Sequence, residues 1–194
     1  MSRNSLLLLL ALSALTPSVA PAQRAAPQRR NDGFWFGAGL GPAWLRVSCS
    51  ICSSDRGTAF SGYVALGGSA GRRTLVGAEA TGRYKRDGDI KETNWSVNAV
   101  AFWYPSARRK LYWKLGAGVQ LYRLEDGTDV LTASPFGVQA GIGWELPLSR
   151  RLRWTPSATL HVASWGGALK FNGASSVSDI ALTMVQVGVG VTSR

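Results

Sequence analysis

The stretch that decides the fold lies at residues 111–122 and reads LYWKLGAGVQLY. Its odd-numbered positions carry Leu, Trp, Leu, Ala, Val and Leu, whereas its even-numbered positions carry Tyr, Lys, Gly, Gly, Gln and Tyr. A period of two is that of a β-strand whose two faces meet different surroundings. The stretch therefore predicts a strand with one apolar face and one face of small and polar residues.

The same alternation recurs along the chain on both sides of this stretch. Together with the stretch itself it predicts eight strands, near residues 33–47, 59–70, 74–85, 93–104, 111–124, 133–146, 152–164 and 178–192. Strands of this length, without any apolar run long enough for a spanning helix, predict an all-β antiparallel up-and-down barrel.

The connections between these strands alternate in length. Short ones are predicted at Gly71–Arg73, Pro105–Lys110 and Pro147–Arg151, and longer ones at Ser48–Thr58, Glu125–Thr132 and Trp165–Val177, with Arg86–Glu92 intermediate. Short turns at one end and longer loops at the other are typical of an outer-membrane barrel, whose short turns face the periplasm.

The two faces of the strands predict which side meets lipid. Small residues are needed where space is limited, so we expect the glycine-rich and polar face to line a filled lumen and the apolar face to contact the bilayer. Aromatic residues fall near both ends of the strands and predict two interfacial girdles: Phe34, Trp44, Phe60, Tyr84, Trp95, Trp103, Trp113, Phe136, Trp144 and Trp154. A soluble periplasmic barrel that carries an apolar ligand would require the opposite orientation of the faces.

The N-terminus predicts export. An apolar run at Leu6–Leu15 followed by small residues reads as a signal peptide at 1–22, followed by an unstructured leader at 23–32 and the barrel at 33–194. The net charge of +11 would suit nucleic acid, but the chain lacks a recognisable binding module and is predicted to be exported, so we expect no nucleic-acid partner.

With these features, residues 33–194 resemble the small eight-stranded outer-membrane barrels, such as the transmembrane domain of outer-membrane protein A and the outer-membrane protein X type. The resemblance lies in alternation, girdles and loop asymmetry. It implies a bacterial outer-membrane location, a lipid environment and insertion by the barrel-assembly machinery. Those families usually end in an aromatic residue, whereas this sequence ends Gly190-Val191-Thr192-Ser193-Arg194.

Charged residues occur on the face predicted to line the lumen. We expect a charge network there formed by Glu79, Arg83, Lys114, Glu145, Arg153 and His161. Because unpaired charge is costly in such an interior, Glu79 is expected to pair with Arg83 or Lys114, and Glu145 with Arg153. These pairs predict a plugged lumen, with a porin-like water conduit as the less favoured alternative.

His161, the single histidine, raises the alternative of a lipid-modifying enzyme. In the lipid A deacylase family a histidine and a serine lie two residues apart on the lipid-facing side. Here Val162 and Ala163 follow the histidine, and its register points inward. We therefore expect no catalytic site and no enzyme.

Cys49 and Cys52 occupy the first long loop. In an exported protein such a pair predicts a disulfide more often than a metal or redox site. A zinc site would need further ligands that only carboxylates such as Asp55 could supply. We expect neither a metal nor a cofactor.

Charge is polarised along the predicted barrel. Basic residues occupy the short turns and acidic residues the long loops: Arg72, Arg73, Arg108, Arg109, Lys110, Arg150 and Arg151 against Asp87, Asp89, Glu125, Asp126 and Asp129. Basic turns suit anionic lipid headgroups. Since specificity usually resides in loops, we expect a structural or surface-interaction role through the long loops, with the ligand unidentified.

Overall fold

The computed structural model describes residues 33–49, 56–106, 110–149, 151–177 and 180–193. The signal peptide at 1–22, the leader at 23–32 and Cys52 lie outside the described residues, so they stay predictions.

Within the described residues, β-strands are the only regular secondary structure. In chain order they are β1 Phe34–Cys49, β2 Arg56–Ser69, β3 Thr74–Asp87, β4 Ile90–Trp103, β5 Leu111–Asp126, β6 Asp129–Ala133, β7 Phe136–Trp144, β8 Leu146–Pro147, β9 Leu152–Trp165, β10 Leu169–Phe171, β11 Ala174–Val177 and β12 Ile180–Ser193. Among the described residues, no helix has the length and hydropathy of a membrane span.

Eight of these strands close into an antiparallel barrel. Each pairs with the next along the chain in the order β1, β2, β3, β4, β5, β7, β9 and β12, and β12 pairs with β1 to complete the ring. Closure leaves no open sheet edge in the wall, which a bilayer requires. The predicted eight-stranded barrel is confirmed.

Four regions differ from the predicted strands and loops. The predicted long loops at 125–132 and 165–177 contain strands β6, β10 and β11, and the predicted strand at 133–146 is divided between β6, β7 and β8. The predicted intermediate loop at 86–92 contains only the two-residue turn Gly88-Asp89. Gly88 and Gly127 have positive φ angles of 59° and 57°, which lets these tight hairpin turns form.

The barrel has two different ends. The turn end carries the connections at 70–73, 104–110 and 148–151, and the hairpin end carries the tight hairpins β3–β4 and β5–β6. At the hairpin end β6 pairs with both β5 and β10, and β10 pairs with β11, so a small sheet extends the wall there.

The apolar face of each strand points outward, as predicted. In β1 the even-numbered residues from Phe34 to Trp44 are exposed and the odd-numbered ones from Trp35 to Leu45 are buried. Large apolar side chains stay exposed around the whole wall, among them Leu115 at 64% and Val97 at 58%. In water such a surface would be unfavourable, whereas in a bilayer it contacts lipid tails.

The interior is layered. An apolar cluster that includes Leu45, Ile180, Leu182 and Met184 fills the hairpin end. An aromatic cluster that includes Trp35, Phe102, Tyr104 and Tyr112 fills the turn end. Buried polar residues lie between them. The polar layer was predicted from the sequence, whereas these two apolar caps were not.

Candidate functional site

The centre of the lumen holds a buried ion pair between Glu79 on β3 and Lys114 on β5. The Lys114 Nζ donates to both carboxylate oxygens of Glu79, at 2.9 and 3.0 Å. Gln139 Nε2 adds a third hydrogen bond to Glu79 at 3.1 Å. Both charged side chains are almost inaccessible, at 1% and 4% exposure. Of the two partners predicted for Glu79, the structure brings Lys114 to it.

Arg83 is held elsewhere, nearer the hairpin end. Its Nη1 contacts Glu92 Oε2 at 2.8 Å, and its Nη2 donates to the Gly57 carbonyl at 2.8 Å. Glu92 is absent from the predicted charge network because its strand was predicted to begin at Thr93, whereas β4 begins at Ile90. Arg83 tethers the hairpin-end part of β2 to β3 and β4. In this part the pairing of β2 with β3 has already ended, at Phe60 and Tyr84.

Glu145 lies at the turn end, between β7 and β8. It accepts a hydrogen bond from the Tyr104 hydroxyl at 2.6 Å, and Arg153 Nε lies 3.7 Å from its second carboxylate oxygen. Arg153 is therefore near its predicted partner, although its side chain is 36% exposed and lies at the mouth of the lumen.

His161 lies in the lumen at 1% exposure, between its cross-strand neighbours Gln139 and Met184. Neither ring nitrogen has a hydrogen-bond partner among the described protein atoms. Nearby polar layers contain further unsatisfied atoms, in Asn94, Gln120 and Gln139. Buried polar atoms of this kind are usually satisfied by ordered water. Ser164, a serine on the same strand, is exposed and lies on the face of β9 opposite to His161.

The lumen has very little free space at its turn end. A cavity of about 20 Å³ lies beside Glu79, Lys114 and Tyr63, above the aromatic cluster. That volume suits about one water molecule. The Lys114 ammonium also lies 5.5 Å from the centre of the Tyr63 ring, within cation–π range.

The aromatic residues predicted as girdles all lie on the exterior. Their side chains are between 39% and 66% exposed: Phe34, Trp44, Phe60, Tyr84, Trp95, Trp103, Trp113, Phe136, Trp144 and Trp154. Trp165, at 55% exposure, joins them near Phe136, its cross-strand partner. Trp165 therefore ends β9 and does not begin the loop predicted at 165–177.

The sheet at the hairpin end is held by hydrogen bonds between its hairpins. Asn172, in the turn between β10 and β11, accepts the Val130 backbone N–H at 2.8 Å and donates to Asp129 at 3.2 Å. Its positive φ of 47° is a conformation that asparagine tolerates better than most residues. The predicted long loops at 125–132 and 165–177 therefore form a structured platform at this end.

Cys49 ends β1 and packs against the apolar cluster of the hairpin end. Its predicted partner Cys52 lies outside the described residues, so the disulfide stays a prediction.

Comparison with protein-family models and with curated proteins found no match. Among solved structures, the chain is similar to Neisserial surface protein A, with a TM-score of 0.61 at 13% identity, over 82% of this chain and 96% of that one. Ail of Yersinia pestis gives a TM-score of 0.48 at 15% identity, over 81% and 97%. Outer membrane protein OprG of Pseudomonas aeruginosa gives 0.47 at 10% identity, over 84% and 97%.

The similarity to Neisserial surface protein A shows a shared fold. That fold and the apolar exterior of the closed wall make the chain a membrane-spanning β-barrel of the bacterial outer-membrane type. The environment of its wall is a lipid bilayer.

Proposed function

We propose that this protein is a non-enzymatic outer-membrane barrel with a sealed lumen, and that it acts through the platform at its hairpin end. The observation that carries the proposal is the layered interior, in which apolar clusters cover the Glu79–Lys114 pair at both ends. A lumen of this kind suits a scaffold rather than a pore, and the ordered hairpins offer a rigid surface for an external partner.

The two alternatives from the sequence have less support. A carrier of an apolar ligand needs Val, Leu and Trp inside, and most of these residues lie outside. A lipid-modifying enzyme built on His161 needs the imidazole at the lipid face beside a serine, whereas His161 is enclosed in the lumen.

The proposed orientation places the turn end in the periplasm and the hairpin end outside the cell. The turn end carries exposed basic residues such as Arg73, Lys110 and Arg151, and the hairpins carry Asp87, Asp89 and Asp129. Short periplasmic turns are usual for these barrels. Insertion by the barrel-assembly machinery, after removal of a signal peptide at 1–22, belongs to the same proposal.

Conductance across a planar lipid bilayer tests the sealed lumen. The folded full-length protein should give no single-channel steps, and an Arg123→Gln variant, altered only at an exposed pair, should behave alike. Regular steps from the unaltered protein would contradict the proposal and support the porin-like alternative.

Labelling of intact cells tests the orientation and the display of the hairpin end. A membrane-impermeant maleimide should label an Asp129→Cys variant and leave an Arg73→Cys variant unlabelled until the cells are lysed. Unaltered protein gives the background from Cys49 and Cys52. Labelling of Arg73→Cys alone in intact cells would reverse the orientation.

A further inference from the structure

A groove of about 980 Å³ runs across the lipid-facing wall from β12 over β1, β2 and β3 to β4, with Trp154 of β9 at its margin. Its floor is formed by small outward residues, and its walls by larger ones: Ala38, Gly62, Ala80 and Gly82 against Leu40 and Trp95. The volume lies at the upper end of the roughly 300–1,000 Å³ typical of ligand pockets. Because the groove opens into the apolar belt, hydrocarbon is the material that fills it.

Two glycines let the side chains that wall this groove pack close to the backbone. Leu40, Gly62, Gly82 and Trp95 form one cross-strand row from β1 to β4. A Cβ atom at Gly82 would lie 2.7 Å from the Trp95 ring, and one at Gly62 would lie 2.8 Å from Leu40 Cδ2. The Trp95 and Leu40 side chains therefore pack against backbone that carries no Cβ atom, and the wall is recessed between these two side chains.

Basic residues stand directly above the groove, toward the hairpin end. Tyr84 and Thr93 line its upper part and are cross-strand partners. The next outward pair along the same two strands is Arg86 and Lys91, and both side chains are exposed. Arg86 is four residues beyond Gly82, so it stands about 13 Å farther along the strand. That offset suits a headgroup above an acyl chain.

The opposition of Arg86 and Lys91 is unfavourable in itself, because like charges directly across two strands repel. Lys91 also faces Glu125, but Glu125 binds the Arg123 guanidinium at 2.6 Å. Asp87 lies 3.8 Å from Lys85, and Asp89 is in the exposed turn. Arg86 donates its Nε to the Gly88 carbonyl at 3.1 Å. Neither Arg86 nor Lys91 has an ion-pair partner among the described residues.

A second pair of basic cross-strand partners lies beside the hairpin end of the groove. These are Arg46 on β1 and Arg56 on β2. Arg46 is exposed. With Arg86 and Lys91, the exposed Arg46 adds positive charge above the apolar groove. A bound anion would relieve the repulsion between Arg86 and Lys91, and phosphate accepts several charge-assisted hydrogen bonds from arginine.

We propose that this groove and the basic residues above it bind one phosphorylated, acylated lipid of the outer leaflet, of the lipid A class. An acyl chain lies over Ala38 and Ala80, beside the Leu40 and Trp95 side chains, and a phosphate lies between Arg86 and Lys91. The proposal rests on the orientation proposed above, because only that orientation places Arg86 and Lys91 at the outer leaflet.

The test is native mass spectrometry of the full-length barrel in detergent, titrated with bis-phosphorylated lipid A. Monophosphoryl lipid A and phosphatidylethanolamine are the comparison lipids. We expect tight adducts with both forms of lipid A, because each offers a phosphate for Arg86 and Lys91, and weaker binding of phosphatidylethanolamine, which carries no net charge. Equal binding of all three would overturn the proposal and leave only unspecific contact with acyl chains.

Matched variants locate the site. Arg86→Gln with Lys91→Gln should weaken lipid A binding about tenfold or more, as expected for lost charge-assisted contacts. Arg73→Gln with Lys110→Gln removes the same charge at the turn end and should have no effect. Ala80→Leu should fill the groove and weaken binding, whereas Ala99→Leu, an outward alanine outside it, should not.

Equal affinities of the test and control variants would overturn the proposal. Heat-shifted gel mobility checks that each variant is folded, and the comparison of lipids on unaltered protein decides the matter if Ala80→Leu does not fold. The conductance and labelling experiments do not depend on this lipid. A missing lipid site would therefore leave the sealed barrel and its orientation untouched.

Discussion

At the scale of single residues, the Glu79–Lys114 pair is the strongest local constraint in the lumen. Its two charges are buried and share hydrogen bonds with Gln139. Removing one partner of such a pair leaves a buried charge without compensation. Lys114→Met should therefore destabilise the barrel by about 3–5 kcal/mol. The measurement is urea-induced unfolding in lipid vesicles.

Two further variants control this prediction. Replacing both partners, as Glu79→Gln with Lys114→Met, should recover part of the loss because no buried charge remains. Arg123→Gln breaks an exposed pair and should cost less than about 1 kcal/mol. If Lys114→Met unfolds at the same urea concentration as Arg123→Gln, the buried pair contributes no more to stability than the exposed pair.

Gly118 shows why the lumen face needs small residues. A Cβ atom there would overlap the Val97 carbonyl oxygen and lie 2.7 Å from Asn98 Cα, which are backbone atoms that cannot move aside cheaply. Gly118→Val should destabilise the barrel by about 1–3 kcal/mol or more. Ala117→Val, one residue away on the outward face, should change the urea midpoint little. The opposite order of the two midpoints would show that our assignment of faces in β5 is wrong.

The cysteine pair gives a prediction with a mass readout. If Cys49 and Cys52 are bonded, unfolded protein treated with maleimide should gain no mass without a reductant and two adducts after reduction. A Cys52→Ser variant should gain one adduct without reduction. Two adducts on unreduced protein would exclude the disulfide.

At the scale of strands, the outward face of each should tolerate charge only outside the bilayer. Ala99 lies on β4 midway between the girdle residues Trp95 and Trp103, whereas Ile90 begins the same strand at the hairpin end. An arginine near the bilayer midplane of such a barrel costs about 2–4 kcal/mol, and one near the interface about 0–1 kcal/mol. Ala99→Arg should therefore lower the unfolding free energy in vesicles, and Ile90→Arg should barely change it. Equal effects would place Ala99 outside the membrane.

The strands of the barrel wall were predictable because their two faces meet lipid and a crowded lumen, which imposes a period of two. Strands β6 and β10 lack this signal. Both lie beyond the wall in the sheet at the hairpin end, and β6 follows the polar segment Glu125-Asp126-Gly127-Thr128. Acidic residues, glycine and threonine in succession are typical of turns, so the sequence of this segment suggests a loop. Their pairing depends on neighbours distant in sequence, such as Thr132 and Lys170.

The candidate site in the lumen was predictable from the sequence to a similar extent. The face of each strand predicts that Glu79 and Lys114 point inward, but which charges meet depends on register and strand tilt. Arg83 is on the same strand and face as Glu79, yet it turns to Glu92 across the β3–β4 pairing. The groove depends on several strands together, and no single strand carries its signal.

At the scale of the whole molecule, one closed wall is continuous and its exterior is apolar. The network of β-ladder hydrogen bonds runs unbroken around the eight wall strands, so the barrel has no edge at which detergent can begin to separate them. We expect the protein to stay in the membrane fraction after washing with high salt. Without boiling, it should also migrate differently in gel electrophoresis from the same sample after boiling. A fraction released by salt, with one mobility before and after heating, would show that the apolar exterior is buried in some other assembly, because water alone does not accommodate a surface of this size.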